Sequence, residues 1–167
     1  YDIAIVGAGP AGIMAAIRAA GFNKPEGQCL PAGRQGLPSD RQSQKNVILL
    51  ERNNCIGKKI LLSGKGRCNI TNIAPLDEFI ASFGRQGEFL RSAFSEFFNQ
   101  ELIDFFKAKG LELKIERQGR VFPATDRAAS VIEVLNKCLL ESKVKVLYNT
   151  RVSAIKIILC FVNSKDL

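Results

Sequence analysis

The chain has 167 residues, 46% of them hydrophobic, which is enough to bury one core and excludes a disordered or fibrous protein. Its 24 Lys and Arg against 16 Asp and Glu give a net charge of +8, which suits either a nucleic acid or a small ligand that carries phosphates. Because the basic residues are spread along the chain, most are expected to face solvent, and a nucleic acid is the less favoured partner. Five scattered cysteines without a Cys-x-x-Cys pair predict neither a disulfide framework nor a metal site, and they favour a cytoplasmic protein.

The N-terminal segment predicts a strand, a glycine turn and a helix, in that order. Asp2 to Val6 is a short β-branched run typical of a covered parallel strand. Residues 11–20 are small and apolar, with Pro10 in a first turn that tolerates proline and Gly21 as a stop. Three glycines and a proline interrupt this apolar stretch and no basic leader precedes it, so we expect no signal peptide and no membrane span.

An unusual segment, residues 22–46, separates this helix from the next strand. It is rich in Gly, Pro, Ser, Gln and Arg, and residues 30–36 and 37–43 repeat one seven-residue pattern. The simplest interpretation is an exposed insertion loop, because lengthening a surface loop adds only slowly to its closure entropy. A basic contact arm is the alternative. Residues 47–50 then form a second buried strand, which delivers Glu51 at its carboxyl end.

The middle of the chain has a helical pattern. Three helices are expected, over residues 76–83, 88–98 and 100–109. Asn99 is expected to cap the third helix and Gly110 to end it. Aromatic side chains with helical spacing are interpreted as core, with stacking on a cofactor as the alternative. They are Phe94, Phe97, Phe98, Phe105 and Phe106.

The last third predicts a hairpin, a long helix and returning strands. Residues 111–116 alternate apolar and charged side chains, then turn back through residues 117–119. Thr125 or Asp126 is expected to cap a helix with one apolar face. That face consists of Ala128, Val131, Ile132, Leu135, Cys138 and Leu139. Strands are expected over residues 144–148 and 151–162.

The first chemical signal is the turn Gly7-Ala8-Gly9-Pro10-Ala11-Gly12. Its first glycine allows a sharp turn, its second lets the backbone approach a pyrophosphate, and its third lets helix and strand pack closely. The helix N-terminus presents N–H groups and a positive dipole end to the phosphates. An acid that accepts ribose hydroxyls is expected about 20 residues later. Glu51 lies farther away, by an excess close to the length of residues 22–46.

The second chemical signal follows at residues 57–72, which read GKKILLSGKGRCNITN. This segment is dense in glycine, cations and small hydrogen-bonding residues. On residue chemistry alone it fits any anion-binding loop, and its cations also fit a solvated surface. The glycine turn and Glu51 suit NAD as well as FAD. The choice between the two dinucleotides therefore depends on which known proteins residues 57–72 resemble.

Together these motifs resemble those of a bacterial family, the aminoacetone-oxidase-like or BaiN-type NAD(P)/FAD-dependent oxidoreductases. The resemblance is carried by the glycine turn, by Glu51-Arg52, by Gly57-Lys58-Lys59 running into Ser63-Gly64-x-Gly66-Arg67-Cys68-Asn69-x-Thr71-Asn72, and by Gly119-Arg120-Val121-Phe122-Pro123. It covers nearly the whole chain outside residues 22–46. It implies an α/β fold of the Rossmann (βαβ) type, with a parallel sheet that binds FAD and a mainly helical insertion.

The resemblance also implies which residues hold the cofactor. They are Gly7, Ala8, Gly9, Pro10, Ala11, Gly12, Glu51, Arg52, Lys59, Gly64, Gly66, Arg67, Cys68, Asn69, Thr71 and Val152. Among them, the glycines of the turn would hold the pyrophosphate, Glu51 the ribose of the adenosine half, and Val152 would offer its backbone to the adenine. Residues 67–71 would lie towards the flavin.

The implied domain organisation has three parts. Residues 1–74 begin the FAD domain, residues 75–143 form a helical and hairpin excursion, and residues 144–167 return to the FAD domain. The rest of the flavin site is expected C-terminal to residue 167, in a longer protein, so the domain is expected to be incomplete here.

The resemblance implies a flavoprotein oxidoreductase that transfers hydride through FAD to or from a small-molecule substrate, with NAD(P)H as a candidate electron donor. No catalytic residue is assigned, because the chain contains no His and Cys68 has no partner cysteine nearby, which favours a packing role. Three alternatives stay open. They are an NAD-binding dehydrogenase, a basic nucleic-acid-associated flavoprotein, and a truncated product without function.

Overall fold

The computed structural model of the protein describes residues 1–21 and 45–156. The strands, in chain order, are β1 (Ile3–Val6), β2 (Val47–Leu50), β3 (Thr71–Asn72), β4 (Leu113–Glu116), β5 (Arg120–Pro123) and β6 (Lys145–Leu147). The helices are α1 (Pro10–Ala19), α2 (Lys58–Leu62), α3 (Leu76–Ala81), α4 (Arg91–Glu96), α5 (Asn99–Ala108) and α6 (Ala128–Glu141). Short 3-10 turns lie at Ser63–Gly66, Gly84–Leu90 and Arg117–Gly119.

The first sheet is parallel and has the order β1-β2-β6. Ile3 lies opposite Val47, and Ile48 lies opposite Lys145. Helix α1 connects to the first strand through the glycine turn, and Pro10 occupies its first position, where a proline costs no hydrogen bond. Gly21, with φ +81°, follows the end of α1. The predicted strand, turn and helix, and the parallel sheet of the Rossmann type, are confirmed.

The core lies between this sheet and two helices. Helices α1 and α6 contact each other, and buried residues of both belong to one cluster with those of β2. Ile13 and Ile17 of α1, Leu49 of β2 and Leu139 of α6 are almost completely buried. The apolar face predicted for α6 is confirmed; it is buried except at Ile132, which is partly buried.

The second sheet is antiparallel, with the order β3-β5-β4. Strands β4 and β5 form the predicted hairpin, with Ile115 opposite Val121 and the turn at Arg117–Gly119. Strand β3 adds to its outer side, where Thr71 pairs with Val121. The sequence did not predict that third strand, since two residues are too few to show an alternating pattern.

Helices α3, α4 and α5 occupy the predicted helical region, but one predicted cap is wrong. Phe98 precedes the first helical residue of α5, and Asn99 already belongs to the helix. The Asn99 side chain instead donates hydrogen bonds to the carbonyl oxygens of Asn72 (2.9 Å) and Ala74 (3.0 Å). Asn99 therefore ties α5 to the end of β3 rather than capping its own helix.

The cap predicted for α6 is also wrong. Arg127 is the capping residue, and its side chain makes no cap hydrogen bond. Asp126, whose backbone is left-handed (φ +56°), pairs instead with Arg67 and Lys114. Thr125 contacts the Ser130 hydroxyl at 2.8 Å.

The aromatic stripe is core only in part. Phe106 is buried and Phe105 packs against the core, but Phe97 is 41% exposed. Phe94 and Phe98 belong to a separate, partly buried aromatic cluster with Phe79, whose ring lies edge-on to theirs. Helical spacing predicted one continuous apolar face. It could not show that α4 ends before residue 97 and α5 begins after it, which divides these aromatic residues between two clusters.

The returning segment is a strand only over β6. Residues 151–156 belong to no helix or strand, so the strand predicted to begin at residue 151 is wrong over the described part. Residues 157–162 lie outside the described residues. The insertion predicted at residues 22–46 lies outside them too, apart from its last two residues. Within the described ranges, no helix is long and apolar enough to cross a membrane.

Candidate functional site: a glycine-lined cleft at the carboxyl ends of the parallel strands

The glycine turn is built by close backbone contacts at the end of β1. Gly7 has φ +94°, a conformation that favours glycine, and its N–H donates to the Leu50 carbonyl oxygen at 2.8 Å. A Cβ atom on Gly12 would stand 1.9 Å from the Gly7 carbonyl oxygen. Gly12 is therefore required for α1 to pack this close to the strand.

Gly9 differs from Gly12 in what a side chain would meet. A Cβ atom on Gly9 would have no other atom within 4 Å, among the described residues. Its backbone is extended (φ -77°, ψ 178°), and it caps the start of α1 without a side-chain hydrogen bond. The space beside Gly9 leaves the backbone open to a ligand at the N-terminal end of a ten-residue helix.

Glu51 lies beside this turn, at the carboxyl end of β2, as predicted. Its side chain is 6% exposed and accepts hydrogen bonds from the Ala8 N–H (2.7 Å), the Asn53 N–H (2.8 Å) and the Asn53 side-chain amide (2.6 Å). Burial opposes ionisation of this carboxyl, but these hydrogen bonds and the nearby Arg52 outweigh it and lower its pKa. Glu51 is therefore an ionised acceptor at neutral pH.

The turn and Glu51 open into one cleft of about 610 Å³. Its walls also include the loop after β2, the start of α2 and the extended segment after β6. The lining residues are Val6, Gly7, Ala8, Gly9, Pro10, Ala11, Gly12, Leu50, Glu51, Arg52, Asn53, Lys58, Lys59, Thr150, Arg151 and Val152. In open α/β sheets, ligands bind outside the carboxyl ends of the strands, which is where this cleft lies.

The charge of the cleft is predominantly positive. Among the described residues, Arg52, Lys58, Lys59 and Arg151 line it against the single carboxylate of Glu51. All four cationic residues are exposed, and the Gly57 N–H donates to the Ala8 carbonyl oxygen at 2.7 Å, which fixes the start of α2 against the glycine turn. This arrangement suits a ligand that combines phosphates with a hydroxyl-bearing sugar.

Ten of the sixteen residues predicted to bind the cofactor meet in this cleft. They are Gly7, Ala8, Gly9, Pro10, Ala11, Gly12, Glu51, Arg52, Lys59 and Val152. The other six, Gly64, Gly66, Arg67, Cys68, Asn69 and Thr71, lie outside its lining, on the segment that leads into β3.

Sequence reasoning missed four polar residues of the cleft. Asn53, Lys58, Thr150 and Arg151 all line it. Lys58 stands beside a predicted residue, and Thr150 and Arg151 directly precede Val152, so proximity in the sequence was the available signal. Asn53 follows Glu51 by two residues, and its side-chain amide donates to the Glu51 carboxylate.

The segment Ser63 to Asn69 has an unusual backbone. Gly64, Lys65, Gly66 and Cys68 all have positive φ, and two of them are not glycine. A Cβ atom on Gly64 would stand 2.8 Å from the Asn69 nitrogen. Such left-handed residues persist only where the surrounding structure fixes them, and they are frequent at ligand-binding sites.

Arg67 is the residue that fastens this segment to the second sheet. Its guanidinium lies 2.8 Å from Glu116 and 3.3 Å from Asp126, and it stacks over the Phe122 ring at 4.2 Å. The hydrogen bond to Glu116, followed by that to Asp126, raises the pKa of Arg67. The guanidinium therefore binds Glu116, Asp126 and the Phe122 ring. That it lies towards a flavin stays a prediction.

Cys68, Asn69 and Thr71 also contact the rest of the protein, but only Cys68 is buried. Cys68 is 6% exposed, and burial raises the pKa of its thiol, which fits the packing role predicted for it. The Asn69 amide lies beside the carbonyl oxygens of Thr71 and Val121, to which it donates at 3.0 and 3.1 Å when its nitrogen is assigned to the side that faces them. Thr71 pairs with Val121 across the second sheet. Asn69 and Thr71 therefore hold the end of the segment on β5.

A parallel β1-α1-β2 unit with a glycine turn and an acid after the second strand defines a Rossmann-type α/β protein. The model of the HI0933-like protein Rossmann domain matches residues 30–160, and the chain belongs to that family. The family resemblance identified from the sequence is confirmed. The glycine turn at residues 7–12 precedes the matched range, so its assignment rests on the geometry described above.

Curated relatives match most of this chain. The 3-dehydro-bile acid delta(4,6)-reductase of Clostridium scindens is 39% identical over 155 residues, which are 93% of this chain and 32% of the relative. The ribosomal RNA dihydrouridine synthase of Escherichia coli K12 is 27% identical over 135 residues, 81% of this chain and 28% of the relative. The chain thus spans about a third of the length of these relatives.

A solved structure supports the fold. The 3-ketosteroid-delta4-(5alpha)-dehydrogenase of Rhodococcus jostii RHA1, solved with 4-androstene-3,17-dione, superimposes with a TM-score of 0.54 at 15% identity. The match covers 89% of this chain and 37% of that one. At this identity the likeness concerns the fold.

Proposed function

We propose that the protein containing this chain is an FAD-dependent oxidoreductase, and that the cleft beside Gly9 and Glu51 holds the ADP half of the cofactor. The observation that carries this proposal is the meeting of the glycine turn, the ionised Glu51 and four cationic residues in one cleft. The name of the C. scindens reductase supports redox chemistry. FAD supplies hydride transfer through its isoalloxazine ring when bound.

The residues of the cleft fit the chemical groups of an ADP half. The open space at Gly9 lets a pyrophosphate approach the N–H groups at the start of α1, whose dipole favours negative charge. Lys58, Lys59 and Arg151 add positive charge around it. Glu51 accepts from a sugar hydroxyl, and the backbone near Val152 forms the far wall. These residues bind and orient the cofactor; none of them is assigned a role in the chemical step.

The Ser63 to Asn69 segment is proposed to lie towards the flavin ring. Its left-handed turns and its attachment to the second sheet through Arg67 support this role, because a reactive ring needs a rigid neighbouring backbone. Segments of the full-length protein beyond this chain are proposed to complete the ring site, with NAD(P)H as the electron donor and a small molecule as the substrate. We propose a cytoplasmic location.

The proposal is tested by purifying the full-length protein and identifying the cofactor it releases on denaturation. We expect a flavin absorption spectrum and a released compound that co-elutes with FAD. Release of NAD, or of no nucleotide from a folded protein that also fails to bind added FAD, would contradict the proposal.

A second candidate concerns the substrate, which is RNA in the name of the E. coli relative. The net charge of +8 favours this candidate. The ion pairs of Arg67, Arg91, Lys109 and Lys114 with carboxylates count against it, because these four cations are already bound within the protein and are less available to RNA phosphates. Retention of ribosomal RNA by the full-length protein, with an affinity that falls steeply with salt, would favour an RNA substrate over a small molecule.

A further inference from the structure

Among the described residues, three hydrogen bonds hold the buried Glu51 carboxylate, and Asn53 supplies two of them. Its backbone N–H and its side-chain amide both donate to Oε1, at 2.8 and 2.6 Å. The Ala8 N–H donates to Oε2 at 2.7 Å. The two carboxylate oxygens are therefore held by different parts of the cleft.

These hydrogen bonds leave the two oxygens with different remaining capacity. A carboxylate oxygen offers about two acceptor positions. Within residues 1–21 and 45–156, Asn53 uses both positions on Oε1, whereas Oε2 accepts the bond from Ala8 and keeps one position. Because the carboxylate is ionised, this remaining position accepts a hydrogen bond and donates none.

We propose that Asn53 is a positioning residue: its side-chain amide holds Oε1 so that Oε2 receives one ribose hydroxyl of the adenosine half. The inference rests on the proposed function and names the group that this part of the cleft selects, a neutral hydroxyl. An ionised phosphate on the ribose would have no proton to donate. It would also be repelled by the Glu51 carboxylate, whose orientation is fixed by its hydrogen bonds.

The loop that carries Asn53 is held by main-chain bonds that do not depend on its side chain. The Asn149 N–H donates to the Asn53 carbonyl oxygen at 3.0 Å, and the Thr150 N–H donates to the Glu51 carbonyl oxygen at 2.8 Å. The Glu51 N–H donates to the Leu147 carbonyl oxygen at 2.8 Å. A substitution at Asn53 that keeps the size of its side chain therefore changes the contact with Glu51 and leaves the loop in place.

The test is Asn53→Asp in the full-length protein freed of cofactor, with Asn54→Asp as the matched control. Both variants add one negative charge, but Asn54 is exposed and lies outside the cleft lining. Calorimetry measures the Kd of ADP and of 2′,3′-dideoxyadenosine diphosphate, which lacks the ribose hydroxyls, at about pH 8 and about pH 5.5.

At the higher pH we expect Asn53→Asp to weaken ADP binding about tenfold or more, the size typical of a hydrogen bond to a charged group. The dideoxy compound makes no bond to Oε2 and experiences only the added negative charge, so its affinity should fall clearly less than that of ADP. At the lower pH most of the loss for ADP should disappear, because two facing carboxylates raise the pKa of one of them and then share a proton as donor. Asn54→Asp should leave both affinities unchanged.

Equal losses for ADP and the dideoxy compound would overturn the proposal, since they would indicate a general structural role. A loss that is the same at both pH values, or no loss at all, would also overturn it. If the wild-type protein binds neither ADP nor FAD, the proposed function fails together with this inference. If the wild type binds FAD but does not discriminate between the two diphosphates, the inference alone fails.

Discussion

At the residue scale, two glycines of one turn perform different tasks. Gly12 is a packing residue, because any Cβ there meets the Gly7 carbonyl oxygen, whereas Gly9 faces open space in the cleft. Sequence spacing assigns both to the same motif. The structure separates the position that the fold requires from the position that a ligand requires.

Substitution of these glycines by alanine tests the separation in the full-length protein. Gly12→Ala should lower the free energy of unfolding by about 1–3 kcal/mol, as expected for overpacking against backbone. Gly9→Ala should change it by less than about 0.5 kcal/mol, because its φ and surroundings tolerate a methyl group. Gly9→Ala should nevertheless reduce the FAD content. Chemical denaturation measures the stability of both variants, and cofactor extraction measures their FAD content. A Gly12→Ala variant as stable as the wild type and with full FAD content would contradict the packing role of Gly12.

Glu51 predicts a pH dependence of stability. Its folded pKa is lowered below 4.5, so its stabilising contribution is present above the ordinary pKa and is lost as the pH falls through the folded value. The variant Glu51→Gln should therefore be less stable than the wild type at about pH 6, and the difference should shrink as the pH falls below about 4.5.

Denaturation of apoprotein at several pH values measures this difference. Glu133→Gln, at an exposed position of α6, is the control and should show a small effect throughout. If the loss of unfolding free energy caused by Glu51→Gln stays constant down to about pH 3, the ionised state assigned to Glu51 is contradicted.

At the element scale, sequence patterns succeeded where one physical signal dominates. The β-branched run before the glycine turn gave the right strand, although alternate residues of that strand are exposed rather than covered. The apolar face of α6 gave the right helix, because burial on one side sets its periodicity. The two wrong helix caps failed because Asn99 and Asp126 bind partners distant in the sequence. Local capping rules do not contain such tertiary contacts.

The same limit applies to the candidate site. The glycine turn and Glu51 could be predicted, since their spacing follows from the βαβ unit once residues 22–46 are set aside. The ion pairs that occupy Arg67 could not, because Glu116 and Asp126 reach it through the hairpin and the turn before α6. Over residues 151–156 the predicted strand is absent, because an apolar run does not show whether a neighbouring strand is present.

The engagement of Arg67 predicts a local change in rigidity. Arg67→Lys should increase hydrogen exchange in residues 63–72, because an ammonium cannot bridge Glu116 and Asp126 and stack on Phe122 at once. Arg91→Lys is the control, since Arg91 also bridges two carboxylates, Glu88 and Asp77, but in the helical region. Exchange measured by mass spectrometry should be unchanged in residues 63–72 of the control. Equal protection of this segment in wild type and Arg67→Lys would contradict the role assigned to Arg67.

At the scale of the whole molecule, the parallel sheet is covered on one face. Helices α1 and α6 cover the side of Ile5 and Leu49, while on the opposite side Val6 is 58% exposed and Leu147 is 37% exposed. Parallel sheets are normally covered on both faces. Since the chain spans about a third of its curated relatives, we expect further segments of the full-length protein to cover this face.

This expectation predicts a difference between the chain alone and the full-length protein. Residues 1–167 expressed alone should bind FAD weakly and should bind a dye for exposed apolar surface. The full-length protein should retain FAD and bind the dye less. Purification of residues 1–167 as a yellow protein with stoichiometric flavin would show that the remaining segments are not needed for the site.

The most direct test of the account is a crystal structure of the full-length protein with its cofactor. We expect the pyrophosphate to contact the backbone of Gly9 at the start of α1, and one adenosine ribose hydroxyl to donate to Oε2 of Glu51, beside Asn53. An ADP half bound outside the cleft of Gly9 and Glu51, or a pyrophosphate held away from α1, would contradict the central claim.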